Sequence, residues 1–201
     1  MGRFFHNNLK VRNMKPSKTI LCLLETNILF ILLTVLFRVL HRQTGQSGFL
    51  AAYITFLTIS YHFIMRLAVG ETITLLYQKR EFHYDAAWYQ PKPFEKKLYK
   101  WLNVKKWKLN LITAKPEQFD IRQRSSEELL KNMTQAEVVH EIIMVLSFVP
   151  LFLIKWYGAA SVFLITSVLA CLADSLFVMI QRYNRPRLLR LKQKLEANRK
   201  K

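Results

Sequence analysis

The sequence predicts an all-α fold: a polytopic integral membrane protein with about four transmembrane helices and an amphipathic cytoplasmic segment. Three observations carry that prediction. Hydrophobic residues make up 51% of the 201-residue chain, with 14 Phe and only 5 Gly, yet the formal charge is +18. Apolar and basic residues are sorted into separate blocks, whereas a water-soluble domain mixes them along amphipathic elements. The density of bases also alternates from one junction between blocks to the next.

The first block, TILCLLETNILFILLTVLFRVL at about 19–40, holds one Glu and one late Arg. A hydrocarbon layer about 30 Å thick needs roughly 20 helical residues, so this block predicts a span. No small-residue cleavage motif follows it, so it reads as a retained helix and not a signal peptide. The second span, about 50–74, is mostly apolar but carries His62, Arg66 and Glu71. The third is predicted over 136–155. Its pure apolar run IIMVLSFVPLFLI is short, so a full crossing must begin near Ala136 and include Pro150. A re-entrant or interfacial helix is the competing reading. The fourth, 158–180, carries only Asp174. Cys22 and Cys171 both lie inside predicted spans and read as apolar filler, with neither zinc spacing nor a disulfide framework. The chain is expected to form a single membrane domain over 1–201.

Residues 1–18 hold five bases, the turn at 41–48 holds Arg42, 78–135 holds thirteen, Lys155 stands alone, and the stretch from 181 holds nine. This heavy–light alternation predicts four crossings with both termini cytoplasmic. A nucleic-acid binder has no reason to place charge at every second junction, so no nucleic-acid partner is expected. Within the cytoplasmic segment 78–135, Phe94, Leu98, Trp101 and Leu102 recur near helical spacing, opposite Lys96, Lys97 and Lys100. Pro91 and Pro93 mark a start and Asn103 an end, with Trp107, Leu109 and Leu111 forming a second short element. Such a helix lies in the headgroup layer with Trp101 and Trp107 at the membrane interface, or packs as a small soluble cap.

Ionisable residues inside spans carry the functional signal, because each costs a few kcal/mol at mid-helix. His62 and Arg66 share a helical face; so do Glu137, His140 and Glu141 in the TQAEVVHEII that opens the third span. With alternating helix directions they gather toward the cytoplasmic half, in a pocket able to hold an amphiphile. Glu137-x-x-His140 lacks further partners for a metal, so none is expected. After the fourth span, Arg182, Arg185 and Arg187 offer planar forks suited to phosphate or carboxylate. Asn184 can donate and accept, and Pro186 predicts a helix stop.

QRYNRPRL at 181–188, KKWK at 105–108 and the E-x-x-H at 137–140, in that context of spans, resemble the glycosyl-4,4'-diaponeurosporenoate acyltransferase family of small bacterial membrane enzymes. The likeness covers roughly residues 60–192. It implies transfer of a fatty acyl group to a hydroxyl of a lipid-linked sugar or similar amphiphile, in a bacterial cell membrane. By motif it carries function onto Trp107, Lys108, Glu137, His140, Arg182, Asn184, Arg185 and Arg187. The stretch LNLITAKPEQFDIRQ after KKWK lacks the family's glycines.

On that reading His140 is the base, with Glu137 or Glu141 orienting its imidazole. Asn184 or Arg66 stabilises the tetrahedral oxygen, beside His62 and Glu71 in the acceptor pocket. Arg182, Arg185, Arg187 and Lys108 hold the phosphates of acyl-CoA or another acyl donor, a cosubstrate and not a resident cofactor. Membrane lipids and an amphiphilic acceptor such as a glycolipid are the expected partners. Two other classes fit the same residues: a non-catalytic lipid-binding protein, and an enzyme moving another group, such as methyl, onto a prenyl or fatty lipid.

Overall fold

The computed structural model describes residues 18–77, 83–107, 119–120 and 124–199. These residues are helical or irregular, with no strand among them. Lys108, Leu109 and Leu111 lie outside the described residues, as does 1–17. Four helical stretches, Ile20–Thr44, Ser47–Tyr77, Ser126–Tyr157 and Ala160–Asn198, are long and apolar enough to cross a membrane.

Helices α1 (Lys18–Thr44) and α2 (Ser47–Tyr77) form a hairpin. Gly45 closes α1 in the left-handed region (φ +68°), its N–H donating to His41 O at 2.8 Å. Aromatic rings join the pair: Phe37 stacks on Phe56 with centroids 5.5 Å apart, and Phe30 meets Phe63 edge-on at 5.6 Å. The other face of α1 exposes Leu21, Leu24, Ile28 and Leu32, an apolar surface suited to hydrocarbon and not to water.

A 3-10 turn (Ala87–Tyr89) leads to α3 (Pro93–Trp101) and α4 (Val104–Trp107). Pro93 occupies the start of α3, where its missing N–H breaks no helical bond. The helix is two-faced. Glu95 and Tyr99 are buried against the bundle, while Phe94 (63% exposed) and Trp101 (81%) point away. Trp107 is half-buried and donates its indole N–H to Leu102 O at 2.9 Å.

Helix α5 (Ser126–Leu146) begins in the polar stretch ahead of Ala136, where the membrane crossing is expected to start. A capping box explains the helix start: Ser125 Oγ accepts from Glu128 N–H at 3.2 Å, and Glu128 Oε2 accepts from Ser125 N–H at 3.0 Å. Pro150 then turns the path into a 3-10 stretch (Val149–Leu153), followed by α6 (Ile154–Tyr157). The last helix, α7 (Ala160–Arg199), runs 40 residues and contains Pro186, against the expected stop there. The ring removes one backbone bond, but Arg182 and Arg185 in the preceding turn are tied to neighbouring elements. Strong helix formers (LLRLKQKLEA) continue beyond it.

The closest packing joins α1 to α2 and α5 to α7, and α2 bridges the halves by touching both α5 and α7. Tyr53, Ile54 and Phe163 form an apolar core near the α1–α2 hairpin end. The charged side chains gather in the other half, toward the C-terminal ends of α2 and α7 and the start of α5.

Candidate active site

Two charged clusters share the space between α2, α5 and α7. The deeper one centres on Asp174, which is 1% exposed. Its Oδ1 faces His140 Nδ1 at 2.8 Å, and its Oδ2 is in contact with Arg66 Nη2. Arg66 also donates through Nη1 to His62 O at 3.1 Å and through Nη2 to Ala170 O at 3.4 Å. The His140 ring lies flat against Phe177, centroids 4.6 Å apart and planes within 7°. One carboxylate thus fixes an imidazole from one side and a guanidinium from the other, with an aromatic plate setting the ring's tilt. His140 Nε2 makes no hydrogen bond among the described residues, and the side chain is 22% exposed. An imidazole held at Nδ1 and open at Nε2 has the arrangement of a general base.

The second cluster lies nearer the loop segment. Glu137 and Arg185 are both fully buried and meet at 2.5 Å (Oε2 to Nη2). Arg185 also donates to Tyr89 O at 3.0 Å and Thr134 Oγ1 at 3.3 Å, with its guanidinium 5.1 Å above the Tyr89 ring. Arg182 meets Glu137 Oε1 at 2.7 Å and Glu95 Oε1 at 2.6 Å, and donates to Trp88 O and Gln90 O at 3.0 and 3.2 Å. Paired charges and satisfied carbonyls join α7 to α5, α3 and the 3-10 turn. Burial with the Glu95 charge beside it pushes the Tyr99 phenol well above its ordinary value. Burial likewise raises Tyr89, helped by Tyr77, Glu137 and Glu141 and opposed by Arg185.

A cleft of ≈ 490 Å³ opens beside this cluster between α3 and α7. Lys96, Lys100, Lys105, Arg187 and Arg190 line it, and its Glu95 is already matched to Arg182. Arg187 lies over the Tyr183 ring at 4.4 Å and donates to its hydroxyl at 2.7 Å.

The expected site residues therefore separate. His140 and Arg66 come together, but through Asp174, which sequence reasoning did not assign. Glu137, expected behind His140, serves Arg182 and Arg185 instead. Glu141 accepts the Trp88 indole N–H at 3.1 and 3.3 Å through its two oxygens, leaving the imidazole to Asp174. Arg182 and Arg185, expected on an anion, are engaged inside the protein, and Arg185 has no exposed surface. Of that trio, Arg187 alone reaches the cleft as an exposed fork. Asn184 stands ten residues past Asp174 on α7, about 15 Å along the axis, too far to share an oxyanion with His140. Glu71 is exposed near the end of α2. Glu95 and Trp88 are further members that sequence reasoning missed.

No curated protein and no solved structure matches the chain. A sequence profile described as CrtO, glycosyl-4,4'-diaponeurosporenoate acyltransferase, matches residues 85–194. That match covers more than half of the chain, from the 3-10 turn to the basic end of α7, and takes in His140, Asp174 and the whole second cluster but not Arg66.

Proposed function

This chain belongs to the glycosyl-4,4'-diaponeurosporenoate acyltransferase family, and from that premise we propose that His140 and Asp174 carry its acyl transfer. As a multi-pass membrane acyltransferase it uses an acyl donor and works on lipid or membrane-associated substrates. The proposed acceptor is a hydroxyl of a glycolipid or similar amphiphile, and the proposed donor is a thioester of the acyl-CoA kind. The observation that carries the reading is the 2.8 Å contact from His140 Nδ1 to Asp174 Oδ1.

His140 Nε2 takes the proton of the acceptor hydroxyl as that oxygen bonds to the donor's acyl carbon. The tetrahedral adduct expels the thiolate, which recovers the proton from the imidazolium. Asp174 stays ionised, holds the Nδ1–H and stabilises the imidazolium. Arg66 balances the buried carboxylate and fixes its orientation, a positioning role that replaces the one expected at the oxyanion.

The basic cleft supplies the donor's anchor. Arg187 lies thirteen residues past Asp174, about 20 Å along α7. A donor held there by its anionic head needs a long arm to bring its acyl carbon to His140. That requirement favours a phosphate-bearing thioester over a phospholipid ester. The base-rich junctions support a topology with both termini and the segment 78–135 cytoplasmic in a bacterial cell membrane, where the cleft meets a soluble donor. Exposed Trp88, Phe94 and Trp101 then sit at the interface beside it.

The test is lipid mass spectrometry on cells producing the chain or its Asp174→Asn variant. An acylated glycolipid is expected to appear with the parent chain and to be lost with the variant, both proteins being present at equal level in the membrane. Equal product from the two rejects the dyad.

A further inference from the structure

Buried polar atoms ordinarily find partners. In helices here, Ser147 and Thr166 do so by donating to the carbonyl four residues back, each at 2.8 Å. A group at mid-bundle does not. Asn27 Oδ1 on α1, Ser60 Oγ and both ring nitrogens of His62 on α2, and Ser167 Oγ on α7 are buried with no hydrogen-bond partner. The pairings Phe30–Phe63 and Arg66–Ala170 O fix the relative heights of the three helices and put these groups at neighbouring levels. Each costs roughly 1–3 kcal/mol if left unanswered.

Of these residues His62 alone lines a cavity. It is 5% exposed, lies at the midpoint of α2, and lines a groove of ≈ 540 Å³ between α1, α2 and α7. Leu23, Phe63, Leu67 and Leu169 make the groove's walls apolar, and Arg66 closes it on the side of Asp174. The volume falls within the range of small-ligand sites. A plain acyl chain fills the walls but leaves the imidazole unanswered. Whichever tautomer it takes, His62 presents both a donor and an acceptor as a neutral ring.

We propose that this groove binds a lipid chain carrying an oxygen function deep in the bilayer, a hydroxyl, carbonyl or ester that hydrogen-bonds His62. The depth of His62 sets the specificity: the group it reads lies along the chain, not in a headgroup. Naming this lipid as the acceptor rests on the acyl-transfer reading above; the binding itself does not. Through Arg66 the groove adjoins the carboxylate that holds His140, so an occupied groove also stiffens the base.

The probes are hydroxystearate, with its hydroxyl at mid-chain, and plain stearate, offered to the full chain in nanodiscs and counted by native mass spectrometry. The parent is expected to retain the hydroxylated probe about 10-fold better, the size of one hydrogen bond realised in an apolar site. His62→Phe is expected to erase that preference while keeping stearate. His62→Gln, which retains a donor and an acceptor, is expected to keep most of it and serves if the Phe variant does not fold. Equal retention of the two probes by the parent, or an undiminished preference in His62→Phe, overturns the proposal. His140→Gln separates the two readings: it is expected to stop acyl transfer and leave the probe preference intact. If transfer survives in that variant, the base assignment falls and the lipid site stands.

Discussion

Around Arg182 and Arg185, each charge meets an opposite charge: Glu137 takes one arginine on each oxygen, and Glu95 takes Arg182 again. Around Asp174 the pairing stops short. Arg66 and His140 occupy its two oxygens, but the far nitrogen of His140 is left open beside 22% of exposed side chain. Both clusters use residues that are expensive in a membrane, and both lie between α5 and α7. The first returns its cost as fixed geometry, gathering the loop segment, α5 and α7 into one end of the bundle. The second keeps an unsatisfied base within reach of the surface. The first cluster is closed in charge, although Glu95 Oε2 and Arg185 Nε have no hydrogen bond within it, while the second leaves a base nitrogen open where chemistry can use it.

Breaking the closed cluster is expected to give the largest change in stability. Glu137→Ala leaves Arg185 buried without a counter-charge and Arg182 with Glu95 alone, which costs about 3–5 kcal/mol in a buried ion network. The midpoint of thermal unfolding in detergent is expected to drop accordingly, with turnover per folded molecule little altered. A stable Glu137→Ala protein with lost turnover would reverse the division between the clusters. Arg185→Lys sharpens the same point at smaller scale: the charge is kept, but the fork spanning Glu137, Tyr89 O and Thr134 is lost. A loss of about 1–2 kcal/mol is expected, near that of one or two buried hydrogen bonds. The KM for the donor should stay within twofold. A raised KM for the donor would return Arg185 to the anion site.

The basic cleft lies between these cases. Replacing Arg187 and Arg190 together by Ala removes two cations facing the cleft and is expected to raise the donor KM about 10-fold, with kcat unchanged at saturation. High salt is expected to reproduce part of that rise in the parent chain, because an exposed basic site is screened. The smallest effect belongs to Trp101→Ala on the outer face of α3. With Trp101 81% exposed, no folding defect is expected, and binding of the purified α3 peptide to anionic vesicles should weaken by about 1 kcal/mol or less.

Much of the fold is legible because apolar and basic residues are segregated, a pattern that dictates helices and crossings without tertiary information. The misjudged points are those where local signals conflict with distant ones. Pro186 reads as a stop, yet α7 passes through it because partners on other elements hold the preceding turn. The start of α5 is encoded locally by Ser125 and Glu128, a capping box within a polar stretch. At the site, Arg66 and His140 stand out by their cost in a span. Asp174 stands out equally as the only charge of its span, but its partners follow from the rotation of α7 against α2 and α5, which no single helix encodes. Glu95 sits among lysines and reads as a solvated surface residue, although it is 4% exposed. QRYNRPRL carries the resemblance to the family, while the inward direction of its first two arginines depends on the packed structure.

The central claim is that the open nitrogen of His140 is the working base while the neighbouring closed cluster only holds the frame. Its most direct measurement is acyl-transfer turnover of His140→Gln in nanodiscs, normalised to the folded fraction from its own thermal melt. The predicted result is a fall of about 10²-fold or more at an unfolding midpoint close to that of the parent. Undiminished turnover in a folded His140→Gln protein would contradict the account.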